Sequence, residues 1–158
     1  MGYCSFIVHS NSPFSASENL YFHEFINSIC PSYMPPSHYV LSHTIMASEK
    51  AQVHLKDLDH IQEWMSLTLL FDGWEDTLRW SIYGTVGAGV GKYPIVMSLD
   101  DMTGKRGMAE NYLATIKGAM RGMGIEKGIQ VLALMMDNPM VMQSFWRMFQ
   151  NEFEWVLV

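Results

Sequence analysis

Two short apolar runs, each followed directly by an aspartate, place the strongest limit on how this chain can fold. Leu67–Phe71 precedes Asp72-Gly73, and Ile129–Met136 precedes Asp137. Apolar runs of this length that are bounded by turn-forming residues indicate buried strands. We therefore predict that each run is a strand and that each aspartate lies at its carboxyl end.

Two further segments between these runs alternate between apolar and polar residues, as half-buried strands do. They are Trp80–Val86 and Tyr93–Leu99, and the short connections between them predict an antiparallel meander. The glycine-rich stretch Gly87–Lys92 is interpreted as a hairpin. A phosphate-binding loop would need Ser or Thr after the lysine and a helix after the loop, whereas Tyr93 and a strand follow here.

The second half of the chain adds helices that connect the strands. Met108–Met123 has helical spacing, with Gly124 as its C-terminal stop. A helix is also predicted over Pro139–Gln150, with Asn138 as its N-cap, and Trp155–Val158 begins another strand. The resulting order, β-β-β-α-β-α-β after N-terminal helices, is the RNase H-like layout of a mixed α/β (α+β) sheet. Its crossover connection is expected to be right-handed.

The N-terminal part is predicted to be helical. Apolar side chains recur at helical spacing from Phe22 to Ile29, and Pro31 ends that helix. Ser42 or Ser48 is the predicted cap of a second helix with its charged residues on the outer face.

Composition narrows the class of protein. The chain has 158 residues, of which 49% are hydrophobic, enough for one core, and we divide it into a helical segment (1–66) and an RNase H-like domain (67–158). Its net charge of −6 is unlike that of a free-standing nucleic-acid binder. Cys4 and Cys30 lack zinc-ligand spacing and indicate a reducing compartment. No apolar run approaches the roughly 18 residues of a membrane span, so we expect a soluble intracellular protein.

The two aspartates are the candidate metal ligands. If their strands are neighbours, Asp72 and Asp137 converge at one edge of the sheet, where carboxylate oxygens suit Mg²⁺ or Mn²⁺. Two such ions can activate water and stabilise the leaving oxygen in phosphodiester cleavage. The alternative is structural, because Asp-Gly and Asp-Asn-Pro are also ordinary turn and cap sequences.

Weaker signals surround these residues. The segment from Asp100 to Gly107 is predicted to be a polar loop, in which Lys105 and Arg106 are candidate phosphate contacts. The tryptophans are interpreted as core or sheet-face residues rather than as platforms for stacking bases. These are Trp74, Trp80, Trp146 and Trp155.

From Phe6 to Val158 the chain is similar to the hAT transposase family and to the fungal and plant transposase-like domains of unknown function that accompany it. The stretches that carry the resemblance are Pro13–Phe22, Pro31–Ser37, Leu67–Trp74 and Met136–Met142. In the family, a strand closes in Asp-Gly-Trp and an Asp-Asn pair follows the fourth strand. The combination and order of these motifs are more specific than any one of them.

The resemblance implies a function and its limits. It assigns Asp72 and Asp137 as catalytic acids and ligands of Mg²⁺ or Mn²⁺ in a truncated RNase H-like domain, related to nuclear enzymes that cut and join DNA by two-metal phosphoryl transfer. The family's third acid, a glutamate far downstream, is not matched in this sequence, and neither is its Cys-x-x-His motif. We therefore expect no DNA cleavage by this chain alone.

A second hypothesis is a domesticated, non-catalytic module that binds protein or DNA. Under this hypothesis the apolar edge at Val156–Val158 is the partner site, because unpaired strand edges recruit further strands. Homo-oligomerisation through that edge is then expected. A metal-binding signal that depends on Asp72 would favour the enzyme lineage instead.

Overall fold

The computed structural model describes residues 2–105, 108–125, 130–137 and 142–157. The chain divides into two units, Met1–Lys56 and Asp57–Val158. Five helices of the described residues are α1 (Gly2–His9), α2 (Leu20–Ile29), α3 (Met46–Gln62), α4 (Ala109–Gly122) and α5 (Met142–Glu152).

The second unit is built on a mixed four-stranded sheet. Its strands are β1 (Leu67–Glu75), β2 (Ser81–Ala88), β3 (Ile95–Asp101) and β4 (Val131–Met136). They are arranged in the order β3-β2-β1-β4, with β2 antiparallel to both β1 and β3, and β4 parallel to β1. The mixed α/β class and the antiparallel meander predicted from the sequence are thus confirmed.

The first strand is longer than its apolar run. The sequence pattern predicted a stop at Asp72-Gly73, but β1 continues to Glu75, and Asp72 pairs with Gly84 of β2. The reason is the long-range pairing with β2, which the turn propensity of Asp-Gly does not override. Gly73 also has a packing role, because the ring of Tyr83 lies directly over its Cα.

One face of the sheet carries the core under α4 and α5. Phe71 and Tyr83 project from the sheet, and their rings lie 5.2 Å apart. Tyr112 of α4 and Phe145 of α5 pack on Phe71, with ring centroids 5.9 and 6.3 Å away. Phe145 in turn contacts Phe149 one turn later. These rings fix the two helices against β1, so the covered face of the sheet is determined.

The predicted end of α4 is confirmed. Gly124 adopts a left-handed conformation (φ 71°). Its N–H donates to the carbonyl of Arg121, and the N–H of Ile125 donates to that of Met120. This pair of bonds is the Schellman arrangement, for which glycine is preferred because it has no Cβ.

The second N-terminal helix begins earlier than the serine caps predicted. Helical turns start at His38 and include a π-helical segment, Val40–Ile45, so Ser42 lies inside the helix, as does Ser48 within α3. The first turn is capped instead by Ser37, whose Oγ accepts from the N–H of Val40 at 3.3 Å. The Glu18 carboxylate adds a second cap, accepting from the N–H of His38 at 3.1 Å.

The chain returns to the sheet after α5. Leu157 forms a parallel bridge with Ala133: its N–H donates to Leu132, and its carbonyl accepts from Leu134. Val156 is buried, whereas the side chain of Leu157 is 74% exposed. The predicted last strand therefore appears, within the described residues, as a single bridge beside β4. The Asn138 cap and the start of the following helix lie outside them.

Candidate functional site

The register between β1 and β4 brings the two candidate acids together. Phe71 pairs with Met136, so Asp72 and Asp137 are the next residues on two neighbouring parallel strands. Such strands lie about 4.8 Å apart. Both aspartates are exposed. The side chain of Asp72 alternates with that of Phe71 and so lies on the open face of the sheet, the face opposite α4 and α5.

The surroundings of Asp72 leave this carboxylate accessible. Its Oδ1 accepts from the N–H of Gly73 at 2.8 Å. Across the strand pair stands Gly84, and the ring of Trp74 packs over that glycine on the same face. Among the residues that the structure describes, no basic side chain lies within ion-pair distance of Asp72. The negative charge of Asp72 is therefore not offset by a salt bridge within that part of the chain.

The carboxyl ends of three strands meet at this end of the sheet. Since β1 and β3 are both antiparallel to β2, β3 also ends here, and Asp100 and Asp101 are its last two residues. The prediction of a polar loop starting at Asp100 is therefore wrong at its first two positions, because β3 pairs with β2 through Asp101. The hydroxyl and the N–H of Thr103 donate to Asp101 and, with the charge of Lys105, hold the pKa of that carboxyl below its usual value.

Of the two candidate phosphate contacts, the structure describes only Lys105. Its N–H donates to the carbonyl of Met102 and its own carbonyl accepts from the side-chain amide of Asn111, which ties the loop after β3 to the start of α4. Two strand spacings, about 10 Å, separate β3 from β1. Lys105 thus follows β3 at the end of the sheet that carries Asp72, but not beside it. Arg106 lies outside the described residues.

Sequence reasoning missed the turn that joins β1 to β2 at the same end of the sheet. Oδ1 of Asp76 accepts from the N–H groups of Leu78 and Trp80, each at 2.8 Å. Arg79 lies between them with a positive φ of 63°. Trp80 is 52% exposed and precedes β2, so its assignment to the core or the sheet face is wrong. The available signal was an Asp four residues before Trp80, typical of a side-chain-closed turn.

The donor set fits a hard divalent cation that keeps water or phosphate ligands. Mg²⁺ typically takes one or two carboxylates from the protein, and Asp72 and Asp137 follow directly on the paired residues Phe71 and Met136. Among the described residues no group of three or more His, Cys, Asp or Glu side chains is arranged to hold a metal ion. The two carboxylates would therefore form an open site in which the remaining ligands come from solvent or substrate.

A cleft of about 350 Å³ lies elsewhere, at the opposite end of the sheet. Its walls come from the end of α3, including His60 and Trp64, and from the β2–β3 connection, including Lys92. It contains none of the predicted site residues. The candidate site is thus a surface at the carboxyl end of the strands rather than this cleft.

The chain was compared with family models and with curated proteins, and neither comparison returned a match. Within the described residues no helix is both long and apolar enough to cross a membrane.

Proposed function

We propose that this chain is a hAT transposase-like protein, descended from enzymes that cut and join DNA by two-metal phosphoryl transfer. Its site is the pair Asp72 and Asp137, which would bind Mg²⁺ or Mn²⁺ and, through it, a DNA phosphate. The proposal is supported first by the order of the strands. A central β1, flanked by antiparallel β2 and parallel β4, is the arrangement expected of an RNase H-like sheet.

The observation that carries the proposal is the register Phe71↔Met136. Two carboxylates at adjacent positions can share one divalent cation, which favours the charged form of both. Asp72 faces solvent from the middle of a paired strand, which is a costly place for a residue whose only role is to close a turn. A divalent ion bound here would supply charge stabilisation and a polarised water. The residues of the chain would hold that ion and orient it.

The test is direct binding of Mn²⁺ to the full chain, measured by electron paramagnetic resonance and calorimetry. Asp72→Asn and Asp137→Asn should each weaken binding by at least about tenfold, equivalent to about 1.4 kcal/mol. Asp59→Asn is the matched control, because Asp59 is an exposed aspartate on α3, away from the sheet end. If all three variants bind Mn²⁺ equally well, the site is not where we place it.

One observation favours the second candidate, a non-catalytic interaction module. The open face of the sheet exposes several large apolar side chains, and such surfaces often mark protein contacts. They are Val96, Leu99 and Met135. Association of the chain that is unchanged by Mn²⁺ or by Asp72→Asn would support this candidate, whereas cation-dependent DNA binding would support the first.

A further inference from the structure

The β1–β2 turn is a rigid platform beside the candidate carboxylates. Asp76 makes four hydrogen bonds within it. Its side chain accepts from the N–H groups of Leu78 and Trp80, its N–H donates to the carbonyl of Trp80 at 3.0 Å, and its carbonyl accepts from the N–H of Arg79 at 3.0 Å. The N–H groups of Leu78, Arg79 and Trp80 are thus all held by Asp76, which fixes the backbone of the turn.

Arg79 occupies a backbone conformation that normally favours glycine. A positive φ costs a non-glycine residue about 1 kcal/mol, and an arginine is not among the residues that tolerate it best. Arg79 is exposed, and no carboxylate of the described residues lies within ion-pair distance of it. The described part of the chain therefore contains no ion pair of Arg79 that would offset this cost. An arginine held in such a conformation suggests a role for its guanidinium beyond the contacts within the chain.

The neighbours of Arg79 suit an unpaired nucleic-acid strand. Two large apolar side chains flank Arg79 at the surface: Leu78 is 72% exposed and Trp80 is 52% exposed. An exposed aromatic ring next to a guanidinium is the combination that stacks a base and contacts its phosphate. The Trp80 backbone is fixed on both sides, which lowers the entropy lost when its ring stacks on a ligand.

The distance from the carboxylates fits a single DNA strand across both. Asp72 lies three residues before Glu75, the last paired residue of β1, which corresponds to about 10 Å along the strand. The turn adds a few ångströms to this separation. Arg79 would therefore meet a phosphate of the same strand a few nucleotides away from one held near Asp72.

We propose that the β1–β2 turn is a DNA-binding element, in which Arg79 pairs with a backbone phosphate and Trp80 stacks on an unpaired base. The inference deepens the proposed function and rests on it for the second anchor of the strand, the cation at Asp72 and Asp137. The occupant is a DNA strand. Arg and Trp also suit a protein partner, and a wild-type chain that binds no DNA would favour that partner and overturn the inference.

The experiment measures binding of fluorescent single-stranded DNA to the full chain by anisotropy, in buffer with Mn²⁺, over a range of salt concentrations. Arg79→Gln should weaken binding by about tenfold and reduce the salt slope by about one. Arg79→Lys should retain part of the affinity, because a lysine keeps the positive charge but lacks the planar guanidinium that donates two hydrogen bonds to a phosphate. Trp80→Leu should weaken binding without changing the salt slope.

Two controls show whether a loss of DNA affinity comes from the Arg79 side chain rather than from a change in stability or a loss of charge elsewhere. Arg79→Gly relieves the positive φ, so it should leave stability equal or higher while abolishing the DNA contact. Arg121→Gln removes the same charge from the last turn of α4. Because α4 leads from the end of β3 back to the start of β4, Arg121 lies at the other end of the sheet, and its loss should leave DNA affinity unchanged.

The outcomes distinguish this inference from the proposed function. If Mn²⁺ binds through Asp72 but Arg79→Gln and Arg121→Gln bind DNA equally, the proposed function stands and the inference is overturned. If Arg79→Gln weakens DNA binding while Asp72→Asn leaves Mn²⁺ binding intact, the turn binds DNA and the metal assignment fails. If the wild-type chain binds no DNA at any salt concentration with Mn²⁺ present, the inference is likewise overturned.

Discussion

Substitution of Gly73 by alanine tests the packing that extends β1 past Asp72. A methyl carbon at Gly73 would lie 2.7 Å from Cδ1 of Tyr83 and closer still to Cε1 and Cζ of the same ring. The ring cannot swing away freely, because it stacks on Phe71 at 5.2 Å and its hydroxyl is 3.1 Å from that of Tyr112. Overpacking of this kind costs about 1–3 kcal/mol, and we expect the upper part of that range.

Gly118→Ala is the matched control, with the same atoms added. Gly118 lies inside α4, and a Cβ there meets nothing within 4 Å. Alanine is favoured over glycine in a helix by about 1 kcal/mol, so this variant should be more stable than the parent. The two variants should therefore shift the melting temperature in opposite directions, each kcal/mol corresponding to roughly 4–8 °C in a unit of this size.

Urea and thermal unfolding, followed by circular dichroism, measure both effects. Gly73→Ala should also be nearly silent in a Tyr83→Ala background, because the clashing ring is then absent and the two changes are coupled. Equal destabilisation by Gly73→Ala and Gly118→Ala, or full additivity of Gly73→Ala with Tyr83→Ala, would refute the argument that Tyr83 requires glycine at this position.

Two further predictions concern the surface of the same unit. Leu157→Lys should raise solubility and reduce light scattering with little loss of stability, since the Leu157 side chain is 74% exposed while its backbone makes the bridge; no change in scattering would contradict this. Hydrogen bonds from Thr103 lower the pKa of Asp101 below its ordinary value of 3.8. The ionised Asp101 carboxylate therefore stabilises the fold above pH 3.8, and this contribution is lost as the pH falls through the pKa of the folded state. Asp101→Asn should accordingly flatten the acid limb of a stability–pH curve, and an unaltered limb would count against it.

The elements that sequence patterns predicted best are those determined by local chemistry. The span of α4 follows from helical spacing, and its end follows from Gly124, whose left-handed φ is nearly a property of the residue itself. The antiparallel meander followed from alternation and short connections. In each case the residues that decide the structure are neighbours in the chain.

The sequence predictions failed where the local structure depends on a residue that is distant in the chain. The helix that begins at His38 is capped by Glu18, which lies twenty residues earlier, and no local sequence pattern predicts that hydrogen bond. The extension of β1 depends on Tyr83 and on pairing with β2, whereas Asp-Gly in isolation favours a turn. Arg79 was missed for a similar reason. Its positive φ is imposed by hydrogen bonds of Asp76, and composition alone assigns such a turn to glycine or asparagine.

The same extension of β1 bears on the function of Asp72. If Asp72 were the first residue of a turn, its side chain would be expected to accept from backbone N–H groups further along the chain. Asp76 does this for Leu78 and Trp80. Asp72 lies instead within a paired strand, and among the described residues its carboxylate accepts from the adjacent N–H of Gly73. It extends from the open face towards solvent, beside the position of Asp137 on the neighbouring chain segment. From the residues alone, Asp-Gly favoured a turn, and the ligand hypothesis came from the resemblance that Asp-Gly-Trp carries. The hydrogen bonds that close the turn belong to Asp76 rather than to Asp72, and the proposed ligand role of Asp72 depends on this difference.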